Sequence, residues 1–214
     1  MNRREFLKKC PGLALGAAEI IGFPTIIPAS ALSKPGKTSP NNRIVMAGIG
    51  FGMMGVPNMR GFLGKEAVQF VALCDLDKKR LERAKDIVDE KYGNKDCATY
   101  HDYRDLCRRR DVDAVSIAVP DHWHALVAIA CAKAGFDIYG EKPLSHDLLE
   151  GRAMCDAVDR YGRVWQTGSW QRSVANFHRA CELVRNGRIG KIKRVEVGLP
   201  SGHYDFGKTA GRET

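Results

Sequence analysis

From residue 44 onward, hydrophobic positions follow two alternating rhythms. Short, mainly apolar runs occupy 44–49, 68–74 and 114–119, and 136–140 and 163–168 read as a fourth and a fifth strand. Apolar on both sides of the pleat, such runs suit parallel strands covered by helices on both faces. Between them, apolar residues recur every three or four positions. The stretch 77–92 places Leu81, Ala84 and Val88 on one helical face, with Asp77 available as a cap and Gly93-Asn94 as the stop. Asp121 is positioned to cap a helix running through Ala134 and closed by Gly135. Ser145 or Asp147 opens the next helix, with Leu148, Met154, Cys155 and Val158 inward. This alternation predicts an α/β domain, a doubly wound and mainly parallel sheet, over 43–168.

After residue 168 the pattern changes. A polar loop, 166–172, carries one large aromatic, Trp170. The segment 175–185 predicts a helix with Phe177, Ala180, Cys181 and Val184 inward and Gly187 as its stop. Positions 191–199 then alternate, Val195, Val197 and Leu199 against Arg194 and Glu196, as in a half-buried strand. The last stretch, 200–214, is rich in Gly, Ser and Thr and has no apolar period. The expectation is that 169–214 begins a second α/β domain whose sheet is truncated.

The first forty residues read differently. Arg3-Arg4-Glu5-Phe6-Leu7-Lys8 precedes a mostly apolar stretch, 12–27, and then Ala29-Ser30-Ala31. A charged start, a short apolar middle and a small-residue site make an export signal. The paired arginines give it the look of a twin-arginine signal, 1–31, cleaved after Ala31. The expected location is periplasmic, reached through the twin-arginine export machinery; the alternative is an uncleaved membrane anchor. Residues 32–42, rich in Ser, Pro, Lys and Asn, read as a linker.

Composition adds mainly exclusions. The net charge of +9 is scattered over helix faces, and Arg108-Arg109-Arg110 is answered at once by Asp111 and Asp113. No basic stripe is interleaved with aromatics, so nucleic acid is not an expected partner. The seven cysteines include no Cys-x-x-Cys pair and fit no zinc spacing. Cys74, Cys131, Cys155 and Cys181 read as small buried hydrophobes. Folding before export, in a reducing compartment, argues against structural disulfides.

The candidate chemistry lies at the ends of the apolar runs. Gly50-Phe51-Gly52-Met53-Met54-Gly55 is a Gly-x-Gly-x-x-Gly loop between a strand and a helix. Gly50 permits the sharp turn, Gly52 lets a pyrophosphate approach the backbone, and Gly55 lets the helix pack closely. A plain glycine-rich turn is the competing reading. Asp75, 20 residues beyond Gly55 at the tip of the second run, suits an adenosine ribose and repels a 2′-phosphate, favouring NAD over NADP. Pro120 and His124 follow the third run, where His124 is either structural or a catalytic group at the ligand edge. His122-x-His124 has no evident third ligand, so no metal is expected. Glu141-Lys142-Pro143 ends the fourth run. It is either a surface ion pair before a turn or a lysine that exchanges a proton with a substrate hydroxyl.

These motifs together resemble the glucose–fructose oxidoreductase / inositol dehydrogenase / MocA family. The resemblance rests on the glycine loop, Cys74-Asp75, Pro120-x-x-x-His124, Glu141-Lys142-Pro143, Gln166-Thr167-Gly168-Ser169-x-Gln171-Arg172 and the Asn186-Gly187-x-Ile189-Gly190 turn. It extends over about residues 43–199 and is nearest to exported, twin-arginine members. It implies an NAD(P)-binding Rossmann domain followed by a domain built on an open, largely antiparallel sheet. It also implies a sugar, inositol or related polyol as substrate and, for the full-length protein, a homo-oligomer. Lys142 would be the catalytic lysine, with His124 and Glu141 at the nicotinamide end, Arg172 reaching cofactor or substrate, and the bond before Pro143 cis. The family's catalytic Asp/His pair lies in the second domain, so this chain alone is expected to bind a dinucleotide but turn over no sugar. A glycosidase that oxidises its substrate transiently with bound NAD, and a non-catalytic nucleotide- or sugar-binding protein, are the alternatives.

Overall fold

The computed structural model describes residues 42–198. The expected export signal, 1–31, nearly all of the expected linker, 32–42, and the segment 199–214 lie outside the described residues. The chain divides into two compact units, meeting in sequence at Gly168 and Ser169.

The first unit is built on a six-stranded sheet in the order β3-β2-β1-β4-β5-β6. Its strands are β1 (Ile44–Ile49), β2 (Val68–Cys74), β3 (Ala98–Tyr100), β4 (Ala114–Ile117), β5 (Asp137–Glu141) and β6 (Trp165–Gly168). All five pairings are parallel. The strand order reverses at β1, which is hydrogen-bonded to β2 on one side and β4 on the other. Ligands bind outside the carboxyl ends of the strands at such a reversal.

Helices cover both faces. They are α1 (Gly55–Leu63), α2 (Lys78–Tyr92), the one-turn α3 (Tyr103–Leu106), α4 (His124–Ala134) and α5 (Leu148–Tyr161). The core is correspondingly double. Met46, Met59, Phe70, Leu73 and Val88 pack between the sheet and α1–α2. Ala47, Ile117, Val127, Phe136 and Met154 pack between its other face and α3–α5. Adjacent residues of β1, Met46 and Ala47, thus serve opposite cores, as the two-residue period of a strand requires.

Helix ends follow local chemistry. Asp77 accepts from the Arg80 amide at 3.1 Å and caps α2, whose inner face is Leu81, Ala84 and Val88, and Gly93 closes it in the left-handed conformation. Asp147, rather than Ser145, caps α5 by accepting from the Glu150 amide at 2.9 Å. Pro57 falls in the first turn of α1, where a missing N–H costs nothing.

Several sequence expectations are corrected. The strand β3 and helix α3 are not marked by the apolar pattern, because three and four residues are too few to show a period. Asp121 does not cap α4 with its side chain; it opens a 3-10 turn, Asp121–Trp123, that leads into the helix. Leu148 and Cys155 are exposed; α5 buries Met154, as expected, and Ala157. Cys74 and Cys131 are buried as expected, whereas Cys181 is exposed.

The second unit contains a 3-10 turn, Trp170–Ser173, and helix α6 (Ala175–Arg185). The apolar stripe of α6, Phe177, Ala180, Cys181 and Val184, is exposed. Residues 191–198 alternate in sequence but form no strand. A strand needs hydrogen-bonded neighbours, and none is present for this segment among the described residues.

Candidate functional site

The carboxyl ends of β1, β2, β4 and β5 surround one cavity of about 500 Å³, within the usual range for small-molecule sites. Its floor is the glycine loop. Gly50 has φ +86°, and a Cβ there would sit 2.5 Å from the Ala118 carbonyl oxygen at the end of β4. A Cβ on Gly55 would overlap the Gly50 carbonyl oxygen itself. Gly52 is different: the nearest atom to its would-be Cβ is Arg80 Nη1 at 3.7 Å. Two glycines are therefore demanded by the protein's own packing, and the third faces open space.

The start of α1 faces the same cavity. Met54 occupies the cap position without a side-chain hydrogen bond, and the first turn carries no acidic residue. An uncapped helix start offers free N–H groups and the positive end of the dipole to an anion. Phe51 is not part of that offer. Its side chain is buried, and its amide donates to Asp75 Oδ2 at 2.7 Å. Met53 is almost fully exposed at the rim.

Asp75 links the loop to β2. Besides Phe51, its Oδ1 accepts from the Asp77 amide at 2.9 Å, and its backbone carbonyl accepts from His101 Nδ1 at 3.0 Å. A carboxylate has about four acceptor sites, so two remain unused. Local backbone contacts and spare acceptor capacity facing the cavity thus coexist in one side chain.

At the far end of the cavity, Glu141 is 4 % exposed. Its Oε1 accepts from Asn58 Nδ2 of α1 at 2.9 Å, and its Oε2 accepts from the Lys142 amide at 3.3 Å. Lys142 lines the cavity but is exposed; the described residues do not shield it from water. The Lys142–Pro143 bond is cis, the geometry the resemblance implies. Pro120 contributes to the wall. His124 stands behind it, 3 % exposed, with Nδ1 donating to the Pro143 carbonyl oxygen. That bond sets the tautomer and leaves Nε2 buried without a partner. Arg172 belongs to the second unit, exposed on the turn Trp170–Ser173.

Several cavity residues escaped the sequence reading. Arg80, His101, Tyr103 and Arg104 form the wall beyond Asp75. Asp102 holds Arg104 at 3.0 Å, and the guanidinium lies 4.8 Å over the Tyr103 ring. The Arg104 amide, then the desolvation-opposed guanidinium, keeps the Asp102 carboxyl below its ordinary range. The available signal was Asp102, which accepts from the amide two residues on and so marks a helix start.

The fit to a dinucleotide is good on these observations. Open space beside Gly52, an uncapped helix start and a free acceptor capacity on Asp75 match pyrophosphate and ribose. Comparison with known proteins agrees. Residues 43–169 match the model of the oxidoreductase family with an NAD-binding Rossmann fold. A glycosyl hydrolase family 109 protein of Shewanella woodyi is 33% identical over 79% of this chain and 37% of its own length. An alpha-N-acetylgalactosaminidase of Shewanella oneidensis is 30% identical over 92% of this chain and 45% of its own. The crystal structure of myo-inositol 2-dehydrogenase from Lactobacillus plantarum superposes with a TM-score of 0.63 at 32% identity, covering 70% of this chain and 43% of that one. The chain spans less than half the length of these relatives. It belongs to the glucose–fructose oxidoreductase / inositol dehydrogenase / MocA family of oxidoreductases, and its first unit is the family's NAD-binding Rossmann domain.

Proposed function

We propose that the protein carrying this chain oxidises a sugar, inositol or related polyol. The observation that carries this reading is the meeting of the glycine loop, Asp75, Glu141 and Lys142 on one cavity. The loop and the start of α1 hold the pyrophosphate, and Asp75 holds the ribose, its charge disfavouring a 2′-phosphate. The chemistry supplied there by a bound nicotinamide is acceptance of a hydride from an alcohol carbon. Lys142 Nζ takes the hydroxyl proton as the C–H bond breaks. Glu141, held by Asn58, orients the nicotinamide end, and His124 Nε2 is an acceptor awaiting a polar group from the ligands. The Arg3-Arg4 signal sends the folded protein to the periplasm by the twin-arginine route, and the full-length protein works as a homo-oligomer.

A second reading draws on the Shewanella relatives, which carry glycosidase names. Here the same hydride and proton transfers would be transient, and a glycosidic bond would break without net reduction of NAD.

One set of assays decides. NADH fluorescence titration should show binding to the 214-residue chain. Turnover by the full-length protein should produce NADH from a free polyol on the first reading, or release an aglycone with no NADH accumulating on the second. Lys142→Ala should keep nucleotide affinity within about threefold while turnover falls about 10²–10⁴-fold. Unchanged turnover in that variant would remove the mechanism. Lys replacement of both Arg3 and Arg4 should retain the protein in the cytoplasm; continued export would refute the route.

A further inference from the structure

The strongest feature outside the described chemistry is a pair of thiols beneath the cavity wall. Cys107 ends the one-turn helix α3, and Cys131 lies in the middle of α4. Their sulfurs are 3.9 Å apart. Cys131 is fully buried, whereas Cys107 is partly exposed. Both helices also reach the cavity. Tyr103 opens α3 and Trp123 precedes α4; the two rings meet edge to face at 6.5 Å and both line the wall.

We propose that Cys107 and Cys131 are a reversible dithiol–disulfide site that staples α3 to α4 and so tightens the Tyr103–Trp123 wall. Bond formation requires the sulfurs to close by roughly 2 Å, to the usual disulfide length of about 2.05 Å. The side able to move is α3, a single turn at the surface next to an edge strand, whereas α4 is anchored in the core. The two sulfurs have distinct tasks. The two thiols share one hydrogen bond, which lowers the Cys107 pKa against the effect of burial. The same hydrogen bond, together with burial, raises Cys131. Cys107 is thus both the accessible sulfur and the better thiolate.

The oxidant class is a small-molecule disulfide. The Cys107 thiolate attacks one of its sulfurs, a Cys107 mixed disulfide forms, and one thiol leaves. Cys131 then gives up its proton and attacks Cys107 Sγ, expelling the second thiol. Two cysteine thiols are oxidised and one small disulfide is reduced to two thiols. Cys74 is the natural competitor. It lies in the same core, but burial, followed by the Asp75 charge, pushes its thiol up to about 12, so it is a poor nucleophile. Cys155 and Cys181 are exposed and free to react first without pairing.

The test is treatment of the chain with oxidised glutathione, followed by peptide mapping without reduction. The expected product is a Cys107–Cys131 cross-link, with a thermal midpoint raised by about 5 °C and restored by dithiothreitol. NADH affinity should rise threefold or more in the oxidised protein, a readout that rests on the nucleotide-binding reading, as the cross-link does not. Cys107→Ser and Cys131→Ala should each abolish both changes. A persistent glutathione adduct at Cys107, or a cross-link to any other cysteine, would overturn the pairing. A Cys107–Cys131 cross-link with unchanged NADH affinity would overturn its coupling to the cavity.

Discussion

The side-chain amide of Asn58 donates to the buried carboxylate of Glu141 at 2.9 Å, although the two residues are 83 positions apart. Asn58 lies on the helix that follows the glycine loop, and Glu141 ends β5 beside Lys142. This bond joins the glycine-loop end of the cavity to the end where the chemistry is proposed. Space for it is reserved on the other side as well. A Cβ on Gly168 would lie 2.7 Å from Glu141 Oε1.

Removing the Asn58 amide leaves a buried charged acceptor short of a donor. Asn58→Leu, similar in size, should therefore cost about 1–3 kcal/mol in urea unfolding. Asn58→Gln or Asn58→His should recover part of that loss, because each retains an N–H donor. A Leu variant as stable as the parent would show that the bond contributes nothing.

The glycines of the loop should separate under substitution. Gly55→Ala places a methyl group on the Gly50 carbonyl oxygen and should destabilise by about 3 kcal/mol, the upper end of overpacking costs. Gly52→Ala meets no protein atom closer than 3.7 Å, so its thermal midpoint should move by no more than about 2 °C. Its NADH affinity should nevertheless fall at least tenfold, because the methyl occupies the space offered to phosphate. Equal effects on stability and binding in the two variants would contradict the assignment.

How much of this was legible in the sequence depends on the kind of signal each feature leaves. The mainly apolar runs of β1, β2 and β4 announced the centre of the sheet, and Asp77, Leu81, Ala84, Val88 and Gly93 announced α2 almost residue by residue. The wall made by His101, Tyr103 and Arg104 left no such trace, because β3 and α3 are too short for a period. The Asn58–Glu141 bond left none either: a polar pair formed across the fold has no spacing rule. Leu148 and Cys155 of α5 and the stripe of α6 are exposed for another reason. Periodicity reports that a stripe is apolar, and only the surrounding layers decide whether it is covered.

Asp75 should behave as a structural acceptor before it behaves as a ligand group. Asp75→Ala leaves the Phe51 and Asp77 amides without their partner and should lower stability by about 1–3 kcal/mol. Among the molecules that stay folded, the ratio of NADP to NAD affinity should increase, since the carboxylate no longer repels a 2′-phosphate. A variant with unaltered stability and unaltered ratio would remove both roles.

Acid should weaken the fold through its surface carboxylates. Asp77 and Asp102 are held below the ordinary range first by the backbone amides of Arg80 and Arg104, and Asp111 by the Arg109 side chain. A depressed folded-state pKa contributes stability that is complete above the unfolded value and is lost as pH falls through the folded one. The thermal midpoint should therefore be flat, as far as these groups go, down to about pH 4 and decline below it. In Asp77→Asn that decline should be shallower, which differential scanning at a series of pH values would reveal.

The side-chain closures that hold the first unit together differ greatly in length. Phe51 finds Asp75 across 24 residues, Val45 finds Asp113 across 68, and Asn58 finds Glu141 across 83. Contacts of such separation form late, because chain entropy is lost before they return anything. The first three strands can collapse around Phe70 and Leu73 while the site remains open. Only docking of β5 completes it. The loop and Asp75 are joined by a local closure, whereas the end at Glu141 exists only in the finished sheet, so a nucleotide that uses both ends is held most tightly by the native sheet and slows its unfolding.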